Sequence, residues 1–238
     1  MQAIPKRLAW AGVVAAALGL AAVAGVTLVA DLNALRAADP RQPLILRTTQ
    51  AADAVRLAPW RADYRRIYAA VLWDSGSTEA ADQQLETALR YGPADARAWM
   101  QYELQLAARS PTDARVAFAA ARVNELGPHE PELQRAQADL AAELWHQAGL
   151  AAREAWLPSL RYALAKQHDD FLLASFRHAD ENNLCSAAAA LKLEQWCGYA
   201  RAARLACLAG ELNPQQAHQC AEWGALPSSG GLAAGGAP

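Results

Sequence analysis

The sequence predicts an all-α protein made of an N-terminal transmembrane helix, an α-solenoid of helical hairpins and a disulfide-linked C-terminal helical segment. Three observations predict it. Leu8 to Ala30 is a run of 23 residues without a charge. Between Leu44 and Lys166 apolar residues recur at three- and four-residue steps, with proline stops at Pro59 and Pro93, 34 positions apart. All four cysteines lie in the last third of the 238-residue chain. The hydrophobic content of 53% is largely alanine and aromatics are only 7%, which favours helices over strands.

Residues 1–7 form a short N-terminus that carries Lys6 and Arg7. Residues 8–30 then span roughly 35 Å as a helix, at about 1.5 Å per residue, which is enough for a bilayer core. Because the basic residues precede the span, the N-terminus is expected in the cytoplasm and the rest across the membrane. That topology is single-pass in a bacterial-type inner membrane with a periplasmic C-terminal part. A cleaved signal peptide is the competing reading, since Ala22-Val23-Ala24 before Gly25 has a cleavage-site form. The apolar run continues to Asp31, which favours the anchor.

Residues 31–43 read as a connector containing Pro40 and Pro43. Leu44 to Pro59 reads as one helix with Leu46, Ala51, Ala54, Val55 and Ala58 on its apolar side, a lone second helix ahead of the first complete hairpin. That hairpin is Arg61 to Pro93. Tyr64, Ile67, Tyr68, Val71 and Leu72 share one face of its first helix, and Ala81, Leu85, Ala88 and Leu89 share one face of its second. Between them Gly76 supplies positive φ and Ser77 is placed to cap the second helix. Gly92-Pro93 ends it.

A second hairpin opens at Asp95 with Trp99, Tyr102 and Leu106, breaks at Ser110-Pro111, and returns through Ala114, Phe118 and Ala121 to Gly127-Pro128. A third opens at Glu130 with Leu133, Ala136 and Leu140, and turns near Gln147-Ala148-Gly149. It continues through Trp156 and Leu160, with Pro158 predicted to kink or restart its second helix.

Ala69, Gly76, Ala81, Leu85, Ala88 and Pro93 stand at the small, turn, small, large, small and proline positions of a unit of about 34 residues. In this the region 44–166 resembles the tetratricopeptide repeat family. Arg65 and Tyr68 stand where that pattern prefers tryptophan and leucine, whereas Trp99 holds the tryptophan position in the next unit. The resemblance implies stacked hairpins and a concave groove for a peptide or partner helix. Its lining would be Asp63, Arg66, Ala70 and Trp73 in one unit and Arg97, Met100, Leu104 and Ala107 in the next.

Residues 167–226 hold Cys185, Cys197, Cys207 and Cys220, and in an oxidising periplasm an even set reads as two disulfides. Antiparallel helices near Cys185–Gln195, Gly198–Leu212 and Pro214–Trp223 would pair Cys185 with Cys207 and Cys197 with Cys220. Cys185–Cys197 with Cys207–Cys220 is the rival. Zinc sites bring cysteines in pairs two to four apart, and the spacings here are ten to thirteen, so no metal is expected. Residues 227–238 form a small-residue tail expected to be disordered.

A net charge of −2 offers no basic field for nucleic acid. No nucleophile elbow or phosphate loop is present, so no catalytic residue and no cofactor is assigned. The expected function is a membrane-anchored scaffold or adaptor that holds other envelope proteins. Polysaccharide synthesis and export or secretion is favoured as its setting over cytochrome maturation. The alternative is a periplasmic enzyme or ligand-binding module with a site near His168, Asp170 and His178.

Overall fold

The helix that begins near the N-terminus does not stop at Asp31, where the uncharged run ends. In the computed structural model, which describes residues 6–166 and 181–192, α1 runs from Lys6 to Ala38. Asp31 to Ala38, expected as connector, is therefore helical. A single charge does not interrupt a helix, and the first residue here that does is Pro40. Eight further helices follow among the described residues: α2 Leu44–Leu57, α3 Ala62–Asp74, α4 Thr78–Tyr91, α5 Ala96–Arg109, α6 Ala114–Leu126, α7 Pro131–Leu144, α8 Leu150–Lys166 and α9 Glu181–Ala190. No strand occurs among those residues. The chain divides into two compact units, Met1–Tyr102 and Glu103–Pro238, and the division falls inside α5.

In the first unit α1 packs on α2 and α3, α2 on α3, and α3 on α4. The end of α1 supplies the first helix that the sequence reading left out before α2. Ala30 and Ala34 join Ala54, Ala58 and Tyr64 in one buried cluster, and Ala37 joins Ala51 and Val71 in another. Alanine at each crossing lets the backbones approach closely. Arg47 Nε donates to the Ala37 carbonyl at 2.9 Å, satisfying a helix-end acceptor, while its guanidinium pairs with Asp74 at 3.0 Å. Ala51, Ala54 and Ala58 are buried as expected, but Leu46 is 50% exposed because α2 passes α1 with its alanine side inward.

The α3–α4 hairpin follows its sequence pattern closely. Tyr64, Val71 and Leu72 are buried, with Ile67 and Tyr68 packed beside them, and Ala81, Leu85, Ala88 and Leu89 fill the facing side. Gly76 has φ +79° and closes α3: its N–H bonds the Trp73 carbonyl, and Ser77 N–H bonds that of Leu72, each at 2.9 Å. Ser77 occupies the cap position of α4 but its hydroxyl makes no cap bond; it lies 3.2 Å from the Ser75 hydroxyl instead. A Cβ at Gly76 meets nothing within 4 Å. Gly76→Ala is thus expected to cost only the left-handed strain, about 1 kcal/mol in urea unfolding. A loss several times larger would mean the turn has another constraint.

Several hydrogen bonds recur at a 34-residue interval. Ala58 N–H bonds Ala54 and Gly92 N–H bonds Ala88; Arg61 N–H bonds Ala58 and Asp95 N–H bonds Gly92. Arg65 Nε donates to the Pro59 carbonyl at 2.9 Å, and Trp99 Nε1 donates to the Pro93 carbonyl at 2.9 Å. Arginine at 65 thus makes the same bond as tryptophan at 99. Gly92 also marks a close approach, since a Cβ there would lie 3.0 Å from Ala62 Cβ.

In the second unit α7 packs on α8, α6 on α8 and α7, and α9 on α7. Asp113 caps α6, accepting from Arg115 N, and the Arg115 guanidinium beside it holds its carboxyl below the usual range. The expected inner face of α6 is corrected: Phe118 is 59% exposed and Ala114 and Ala121 face outward. Val116, Ala120 and Val123, each two positions later, are buried with Ala119. Two residues turn a helix by about 200°, so the same small and large pattern is present, displaced to the opposite side. The Gly127-Pro128 stop is late by the same amount. On α8, Trp156 and Leu160 are buried as expected, and the helix continues through Pro158 without a restart.

Candidate functional site

Two groups of side chains stand out, one in each unit. The first gathers around Asp31, where α1 passes α3. Tyr64 donates its hydroxyl to Asp31, and the Arg61 guanidinium lies 3.7 Å from the same carboxylate and 4.5 Å above the Tyr64 ring. Arg61 also clamps Asp63 with Nε at 2.9 Å and Nη2 at 2.7 Å. That bidentate bond keeps Asp63 below the ordinary carboxylate range and Arg61 above its own. Desolvation, followed by the bond to Asp31, pushes the Tyr64 phenol up to about 12. It therefore stays protonated and donating at every physiological pH. Tyr64→Phe is expected to cost about 1 kcal/mol, read as a lowered urea midpoint; no change would show that water replaces the bond without penalty.

The expected groove residues fare differently. Asp63 is half-buried and committed to Arg61. Arg66 is half-buried, 3.7 Å from Asp95, and its carbonyl accepts from Gln101. Ala70 and Trp73 are half-buried, Arg97 and Leu104 are exposed, and Met100 and Ala107 are buried and contribute packing. Asp95 caps α5, accepting from Arg97 N at 3.0 Å and Ala98 N at 3.2 Å.

The second group is a buried polar network in the unit that begins at Glu103. Glu103 is 0% exposed. Gln137 Nε2 donates to one of its oxygens at 2.8 Å and Trp156 Nε1 to the other at 2.5 Å. Gln137 also donates to the Ala120 carbonyl at 3.1 Å. Ser159 donates to Gln137 Oε1 at 2.6 Å, and lies 2.8 Å from Gln134 Oε1 and 3.1 Å from Asn124 Oδ1. Asn124 donates to the Ala155 carbonyl at 2.7 Å. Burial pushes the Glu103 carboxyl up to about 7, against the opposing effect of its two donors. Sealed from solvent, it holds α5, α7 and α8 together.

Sequence reasoning passed over Glu103, Gln137 and Ser159. The available signal was that Glu103 and Gln137 are 34 residues apart, each a polar residue among apolar positions of its helix. No cluster of three or more metal-binding side chains occurs among the described residues. His168, Asp170, His178, Cys197, Cys207, Cys220 and the 227–238 tail lie outside those residues, while Cys185 is half-buried on α9. Compared with known protein families and with curated proteins, the chain matches none.

Proposed function

We propose that the protein is a membrane-anchored scaffold built of tetratricopeptide-like hairpins that holds other envelope proteins through its helical array. The observation that carries this reading is α1 itself. It is long and apolar enough to cross a membrane, with Val14, Leu18, Leu20, Val23, Val26 and Leu28 all exposed, and its last turns pack into the first hairpin. The stretch Val14–Ala38 is long and apolar enough to cross, and in this reading the span ends before Asp31 and Arg36. The 34-residue recurrence of backbone and side-chain bonds supports the repeat reading.

In this reading the C-terminal part is periplasmic and its four cysteines form two disulfides, Cys185–Cys207 and Cys197–Cys220. The partners belong to polysaccharide synthesis and export or to secretion, with Arg97 on the contact face. The test is purification of the full-length, C-terminally tagged chain from its own membranes in mild detergent, with mass spectrometry of the intact protein and its companions. The expected result is an uncut chain, two disulfides by alkylation mass, and a reproducible set of envelope proteins lost in an Arg97→Glu variant. A chain recovered alone, or cut after Ala24, would overturn the proposal.

A further inference from the structure

We infer that the α2–α3 turn is a lipid-docking element, in which Trp60 seats in the interfacial layer of the leaflet from which α1 emerges. This rests on the reading that α1 crosses a bilayer. The geometry comes from α2 descending alongside α1 toward the apolar span. Arg47 meets Ala37, Ala51 packs with Ala37, and Ala54 and Ala58 pack with Ala34 and Ala30. The next residues, Pro59 and Trp60, therefore lie at or below the level of Asp31, where the uncharged stretch ends. Arg61 and Tyr64 then bind Asp31 and fix that height.

Trp60 is 59% exposed at this lowest point. An indole there has an apolar body suited to the upper acyl chains and an N–H suited to headgroup oxygens, which is why tryptophan collects at membrane interfaces. Trp10, 69% exposed, stands near the other end of the span. Trp10 and Asp31 are about 31 Å apart along a helix axis, close to the roughly 30 Å of a hydrocarbon core. The two tryptophans thus bracket the apolar layer, one on each side, Trp10 on α1 and Trp60 in the α2–α3 turn.

The full-length protein is reconstituted into phosphatidylethanolamine–phosphatidylglycerol vesicles whose acyl chains carry bromine either near the headgroup or near the bilayer centre. Tryptophan emission is compared between the natural chain, Trp60→Phe and Trp10→Phe. Headgroup-proximal bromine is expected to quench the natural chain most, and Trp60→Phe to remove roughly half of that quenching, Trp10 carrying the rest. Trp60 is exposed, so phenylalanine leaves the fold intact, which circular dichroism verifies. Unchanged quenching in Trp60→Phe, in vesicles from which alkaline carbonate does not extract the protein, would overturn the docking while leaving the anchor. Extraction by carbonate would overturn both.

Discussion

Trp156→Ala is expected to destabilise the unit from Glu103 onward by about 4 kcal/mol, the largest effect of any single truncation considered. The indole is fully buried on α8, and its N–H is one of two donors to Glu103. Alanine would leave a cavity the size of the ring system and a buried carboxyl with one partner fewer. The chain has two units, so the measurement should follow a probe within this one, such as hydrogen exchange of α7 and α8 amides across a guanidinium series. Trp156→Phe separates the two contributions, because it keeps most of the packing while removing the donor. A loss under about 1 kcal/mol for the alanine variant would mean that the indole is not packed as described.

Stability of the same unit is expected to fall as pH rises, by on the order of 2–3 kcal/mol, because Glu103 binds its proton more tightly folded than unfolded. Its carboxyl titrates near 7 in the folded chain and in the ordinary carboxylate range when unfolded. The stabilisation is therefore complete below the ordinary range and is lost as pH climbs through about 7. Most surface carboxylates paired with cations act in the opposite sense: Asp63 and Asp113, held low by arginine, lose their contribution on acidification. Chemical denaturation between acidic and mildly alkaline pH resolves the two directions. Glu103→Gln should remove the Glu103 slope, since an amide of the same size does not titrate. A slope that persists in that variant would assign the pH dependence to another group.

The hairpin from Arg61 to Pro93 was legible almost residue by residue, because a glycine at positive φ and a glycine-proline stop frame two amphipathic helices. The course of α1 past Asp31 was not legible. A charge after a long apolar run marks the end of the apolar stretch, but it says nothing about where a helix ends, and the two boundaries differ here. On α6 the residue types were read correctly and the face was not, since two extra residues before Ala114 rotate the whole pattern. The Glu103 network was missed for a different reason. Glutamate, glutamine and serine inside a helix look like solvent-facing residues until a partner from another helix is known, and Gln137 and Trp156 lie 34 and 53 positions away. Of the groove expected around Arg66 and Met100, the helices were placed correctly, but which side chains remain available was decided by tertiary packing that no local pattern encodes.

The unbroken α1 has a mechanical consequence. Between Leu28 and Ala38 it contains neither proline nor glycine, and its last turns are fastened to α2 and α3 by close alanine contacts and by the Asp31 cluster. A span joined to its domain by a loose tether lets the domain swivel. Here the first hairpin behaves as a vane fixed to a mast. Any rotation of α1 about its axis turns the hairpin through the same angle, and, in the proposed membrane-anchored reading, so does any change of tilt imposed by a thicker or thinner bilayer. If α1 is the membrane span proposed above, the heading of this hairpin is set within the lipid, by whatever grips the sides of the mast.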